Sequence, residues 1–163
     1  MIKTALSFDD VLLVPQYSEI KSRKDIEIRQ ELRAVGDFSL PIISSPMDTI
    51  TGEGMVCAMD TAGGLGILHR YNSIDEQAKM AMDIASANHV VGAAIGIGED
   101  CIERALTLAR AGVSFLCIDV AHGHHSKLRD ALTSLRTAVG EEIHIMAGNV
   151  ATLEAFNDLA DWG

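Results

Sequence analysis

The sequence predicts an α/β fold with a parallel sheet, and three observations carry that expectation. Short apolar runs recur along the chain, each continuous rather than alternating, which is the pattern of strands buried on both faces. Stretches with helical spacing separate these runs. The alternation repeats about every 25 residues, the size of a strand–helix unit.

In chain order, residues 1–40 stand apart from the repeats. They are rich in charge, with short extended pieces around Asp10–Val14 and Ile26–Leu32, and are expected to form a lead-in hairpin or lid over one end of the sheet. The first strand is expected within Pro41–Pro46 and its helix over Thr51–Ala62, opened by Thr51 and Glu53 and stopped at Gly63-Gly64. Gly64–His69 is the second strand. The next helix, Ser73–Ala87, opens on Ser73-Ile-Asp-Glu76, a capping box in which serine oxygen and glutamate carboxylate each satisfy an orphan backbone N–H. Val90–Gly96 is the third strand, followed by a helix over Glu99–Ala111 with Gly112 at its end. Phe115–Ala121 and Ser126–Val139, stopped by Gly140, form the fourth unit. Ile143–Asn149 and Thr152–Asp161, ending at Gly163, form the fifth.

Two architectures accept such repeats, an open doubly wound sheet and a closed (β/α)8 barrel. A closed barrel takes eight strands and about 250 residues. A chain of 163 residues with about five strand–helix units therefore cannot close a barrel alone. It reads as a single partial domain, with residues 1–40 as lead-in and 41–163 as barrel units one to five. The unclosed sheet edges then call for a partner that covers them.

Composition narrows the function classes. Lys and Arg number 13 against 23 Asp and Glu, a net charge of -10, which argues against a nucleic-acid surface. A small phosphorylated ligand remains compatible, because a few backbone N–H groups can hold one phosphate at any net charge. No run approaches the ~18 apolar residues of a membrane span, and the opening MIKTALSFDD has no leader character. The three cysteines, Cys57, Cys101 and Cys117, are far apart and fit a reducing cytoplasm. Cys57 and Cys101 fall in expected helices and Cys117 in a buried strand, so all three read as structural rather than as activated thiolates.

His122, His124 and His125 suit no standard zinc spacing and read as a loop at a strand end. Gly96-Ile-Gly98 starts like a dinucleotide fingerprint, but the third glycine would fall at Cys101. Gly63, Gly64 and Gly66 read as a helix stop and tight strand entry.

Six strings together resemble the IMP dehydrogenase/GMP reductase family. They are Ser7-Phe-Asp-Asp-Val-Leu-Leu-Val-Pro15, Ser44-Ser-Pro-Met-Asp-Thr49, Gly64–Arg70 with Ser73–Gln77, Val91–Gly96, Asp119–His124 and Met146–Thr152. They occur in family order over nearly the whole chain, and the resemblance implies the N-terminal half of a TIM (β/α)8 barrel. The resemblance implies a purine nucleotide site at the carboxyl ends of the strands, as in barrels generally. It implies nucleotide contacts from Ser45 and Met47, Asn149 near the reacting base, and a nicotinamide site beside Asp119, Ala121 and His122. It implies NAD as cofactor, a potassium ion whose site lies outside this chain, and a homotetramer when complete.

The implied reaction, NAD-dependent oxidation of IMP to XMP in guanine nucleotide synthesis, proceeds by attack of a cysteine thiolate on purine C2. That cysteine and the later phosphate-gripping loops are expected beyond Gly163, so the fragment alone is expected to be inactive. The regulatory CBS pair that members of the family often insert after the second helix is absent. Two further readings stay open. One is a GMP reductase, which consumes NADPH with GMP. The other is a non-catalytic half-barrel that binds nucleotide or assembles with a partner.

Overall fold

The computed structural model describes residues 6–32 and 36–163. Residues 1–5, read above as free of a leader, lie outside the described residues, as do 33–35. After short 3-10 turns at Phe8–Asp10 and Arg23–Asp25, the lead-in forms an antiparallel pair, β1 (Gln30–Leu32) and β2 (Gly36–Phe38). The extended piece expected at Asp10–Val14 joins no sheet. Leu12 and Leu13 there are 94% and 98% exposed, so the lid expectation holds only for the hairpin.

The five apolar runs become five strands, β3 (Ile43–Ser44), β4 (Leu65–Leu68), β5 (Gly92–Ile95), β6 (Phe115–Asp119) and β7 (His144–Gly148). They pair in parallel in chain order, β3-β4-β5-β6-β7. One helix follows each: α1 (Glu53–Thr61), α2 (Ile74–Ser86), α3 (Cys101–Arg110), α4 (Ser126–Val139) and α5 (Leu153–Trp162).

Sequential parallel neighbours with a helix on each crossover make a half-barrel rather than a doubly wound sheet, whose strand order would reverse. The alternation of side chains says the same. Leu65, Ile67, Ala94, Phe115 and Cys117 meet on one face, with Met146 against them. Leu68, Ala93, Ile95, Leu116 and Ile118 point to the other, where Val56, Ala81, Leu108, Leu132 and Leu159 of the helices cover them. The first face is concave. Ile43 from one edge strand and His144 and Met146 from the other line one cavity of about 350 Å³ with Phe115. Phe38 of the hairpin packs into this concave cluster beside Leu65 and Phe115, the first residues of their strands, and so plugs the amino-terminal end.

Local chemistry explains the helix ends. Ser73 accepts from the Glu76 N–H, and the Glu76 carboxylate accepts from the Ser73 N–H and hydroxyl. These bonds hold the Glu76 carboxyl below its usual range. Gly63, Gly112 and Gly140, just past α1, α3 and α4, have positive φ. Thr51 departs from expectation. The cap of α1 is Gly52, while Thr51 is fully buried and bonds the strand end before it.

Candidate functional site

The carboxyl ends of the five strands carry the loops on which the expected site residues sit. The loop after β3 is wound tightly. The Met47 N–H donates to the Ser45 carbonyl at 2.8 Å, and the Ile50 and Thr51 N–H groups donate to the Met47 carbonyl at 3.0 and 2.9 Å. The Thr51 hydroxyl lies 2.5 Å from the Ser45 carbonyl and 3.0 Å from Ser44 Oγ. The backbone is thus held from below, while the side chains of Ser45 and Met47 are exposed at the mouth.

The loops after β6 and β7 are joined main chain to main chain. The Val120 N–H donates to Gly148, the Asn149 N–H to Val120 at 2.7 Å, and the Gly123 N–H to Asn149 at 2.7 Å. Gly123 is buried against this seam. A Cβ there would stand 2.9 Å from the Asn149 oxygen and 3.1 Å from the Gly148 carbonyl carbon. The contact therefore requires glycine.

Between these loops lies a cavity of about 220 Å³ lined by Ala121, His122, His124, Asn149 and Thr152, among others. Thr152 caps α5 by accepting from the Ala155 N–H at 3.1 Å, so the positive end of that helix faces the same space. His124 Nε2 pairs with Asp158 Oδ2 at 2.8 Å and its ring stacks on Trp162 at 6.0 Å, which fixes one wall. His125 accepts from the Lys127 N–H as cap of α4.

Of the expected residues, Ala121, His122 and Asn149 therefore come together. Asp119, partly buried, ends β6 in register with Gly148 and lies just below them. Ser45 and Met47 stand at the same end of the sheet but on its opposite edge strand.

The thiols in the barrel wall are poor nucleophiles. Burial, and then the nearby Asp119 carboxylate, push the Cys117 thiol up to about 11. Burial, followed by Asp100, raises Cys101 as well. Raised thiols hold little thiolate near neutral pH.

One group of residues went unnoticed in the sequence. Gln77, fully buried on α2, donates from Nε2 to the His69 carbonyl at 3.1 Å and the Ala94 carbonyl at 2.9 Å. It accepts from Arg104 at 2.9 Å, and Arg104 also bonds Asp100 and the Asn72 carbonyl. This bracket holds the 69–72 loop against the carboxyl end of β5. Its signal was a glutamine at the core-facing spacing of Ala81 and Ile84, where an unpaired polar side chain would be costly.

Comparison with known proteins places this chain among relatives. The family described as "IMP dehydrogenase / GMP reductase domain" matches residues 5–163. An inosine-5'-monophosphate dehydrogenase of Cryptosporidium parvum is 30% identical over 99% of this chain and 50% of its own length. One from Borreliella burgdorferi is 28% identical over 99% of this chain and 52% of its own length. A GMP reductase of Mycoplasma mycoides is 28% identical over 96% and 48%. The chain thus spans about half the length of the curated relatives it matches.

Proposed function

The chain belongs to the IMP dehydrogenase/GMP reductase family of oxidoreductases, and from that premise we propose that it supplies the first half of an IMP dehydrogenase-type site for the NAD-dependent oxidation of IMP to XMP. One observation carries this reading. The main-chain seam between the β6 and β7 loops sets Ala121, His122 and Asn149 around one cavity, directly above Asp119.

In this reading Ser45 and Met47 contact the purine nucleotide and Asn149 stands near its base. Asp119, Ala121 and His122 would hold NAD, and the residues present fit it. The cavity is fragment-sized and lined by His122, Asn149 and the capped N-terminus of α5, and Asp119, partly buried, ends the strand that leads into it, its carboxylate able to accept from hydroxyl or amide donors. When bound, NAD supplies the acceptor for the hydride leaving purine C2. The chain's own residues bind and orient, and the rigid loops keep the cavity's shape. The nucleophilic cysteine is assigned to the other half of the barrel, because Cys101 and Cys117 are buried with raised thiols and Cys57 sits in the middle of α1, packed against the outer core. The potassium site and the homotetramer interface are likewise assigned to the complete protein, in a cytoplasmic enzyme. No described helix is long and apolar enough to cross a membrane.

A second reading, GMP reductase, draws on the Mycoplasma mycoides similarity. The test mixes the purified chain with the second half of a relative. NADH formation from IMP and NAD supports the dehydrogenase, and NADPH consumption with GMP supports the reductase. No turnover in either assay, despite a stable complex, would leave a binding or assembly half-barrel.

A further inference from the structure

Among the described residues, Arg70 is the one arginine with a guanidinium nitrogen shut off from solvent and left without an acceptor. Arg104 is enclosed by Gln77, Asp100 and the Asn72 carbonyl, and Arg136 by the Gly140 and Ile143 carbonyls. Arg29 and Arg129 pair with Asp37 and Asp130. Arg70 is partly buried, yet its guanidinium pairs with no carboxylate among the described residues. Its Nε–H is shut off from solvent without an acceptor there. A buried donor left unpaired is rare and calls for a partner.

Its position says what kind. Gly92 and Ala94 of β5 face the concave side, and Gly96 continues that face just past the strand. A Cβ on Gly96 would meet the Arg70 Nη1 at 3.4 Å and Cζ at 3.6 Å. The guanidinium therefore lies across the mouth against Gly96, close enough that a Cβ there would touch it and a larger side chain would crowd it. Tyr71 backs it, with the ring centroid 5.8 Å from Cζ. The register that pairs Ile95 with Ile118 puts Gly96 beside Asp119.

A planar fork of donors, held in place and lacking an anion, matches the geometry of a phosphoryl group. We infer that Arg70, laid across the barrel mouth at Gly96, anchors the phosphoryl group of a nucleotide ligand. The inference rests on the nucleotide site proposed above and adds a phosphate contact within this half of the barrel. Both IMP and NAD carry such a group, and the experiment separates them.

The Nε–H signal of Arg70, identified by its loss in Arg70→Lys, is followed by NMR during titration of the purified chain with inorganic pyrophosphate, IMP, NAD and phosphate-free inosine. The signal is expected to move with pyrophosphate and with IMP or NAD, whichever places phosphate at the mouth, and to ignore inosine. Affinity for that nucleotide should fall at least tenfold in Arg70→Gln and less in Arg70→Lys, which keeps the charge but loses the fork. Gly96→Leu should weaken binding like Arg70→Gln, because it fills the guanidinium's space while leaving Arg70 in the chain. Movement of the 119–122 and Asn149 amides with IMP or NAD, and a still Arg70 signal, would overturn the inference and leave the nucleotide reading standing. A response to pyrophosphate alone would overturn the inference, because the phosphoryl group held at Arg70 would then belong to no nucleotide, and the nucleotide reading would fall with it. Silence with every ligand overturns both.

Discussion

Replacing Gln77 by leucine keeps the side chain's bulk and removes three hydrogen bonds from a fully buried position. Two run to neutral carbonyls, each contributing about 1 kcal/mol, and one joins a guanidinium, contributing about 1.5–3 kcal/mol. The loss should total about 4 kcal/mol, a large share of the 5–15 kcal/mol that stabilises a typical domain. At about 2–4 °C per kcal/mol for a chain of this size, the melting temperature should fall by ~10 °C, read by far-ultraviolet circular dichroism. Arg104→Met should be costly by itself, since it strips the charged partner from Gln77 and Asp100. The double variant should lose less than the two single losses combined, because neither member is then left unsatisfied. A fall smaller than ~3 °C in Gln77→Leu, or strict additivity in the double variant, would refute the claim that this bracket is a coupled unit.

Other expectations follow from the same geometry. Asp119→Asn should leave the melting temperature within a few degrees of wild type and, in the completed enzyme, weaken NAD use about tenfold or more, seen as a raised KM for NAD. Ser73→Ala should cost about 1 kcal/mol of stability through loss of the α2 cap, and urea titration checks it. The Cys117 thiol is raised to about 11 in the fold, against 9.0 for an ordinary thiol. Its contribution to stability is then complete below pH 9.0 and lost as the pH climbs through about 11, because the unfolded thiol ionises first. The urea midpoint should fall across that window in wild type and fall less in Cys117→Ala. Gly66→Ala should abolish soluble folding, since its Cβ would stand 2.6 Å from the Val56 Cα, a backbone atom that cannot swing aside.

Much of the fold was legible because each strand is apolar on both faces, so a continuous run such as FLCID announces itself. The α2 capping box was equally plain, since Ser73 and Glu76 act within four residues of one another. The lead-in was harder. Its 3-10 turns at Phe8–Asp10 and Arg23–Asp25 depend on local bonds, from the Ser7 N–H to the Asp10 carboxylate and from the Lys24 N–H to the Ser22 hydroxyl, and short alternating polar and apolar pieces look extended either way. In the site, Ala121, His122 and Asn149 were placed from motif strings, yet the bonds that unite them are main-chain bonds between loops 26 residues apart, as in Gly123 to Asn149. Main-chain partners leave no trace in side-chain identity. Arg70 and Arg104 look alike in sequence, and only packing shows that one is satisfied and the other is not.

The seam at Gly123 has a consequence for how such a site changes over generations. The Val120, Gly123 and Asn149 amides carry the architecture through peptide N–H groups, with side-chain identity fixed only at Gly123. Ala121 and His122 are thereby released from structural duty. In the proposed site, substitution at those two places is then expected to alter which molecule is preferred while the walls around it keep their form.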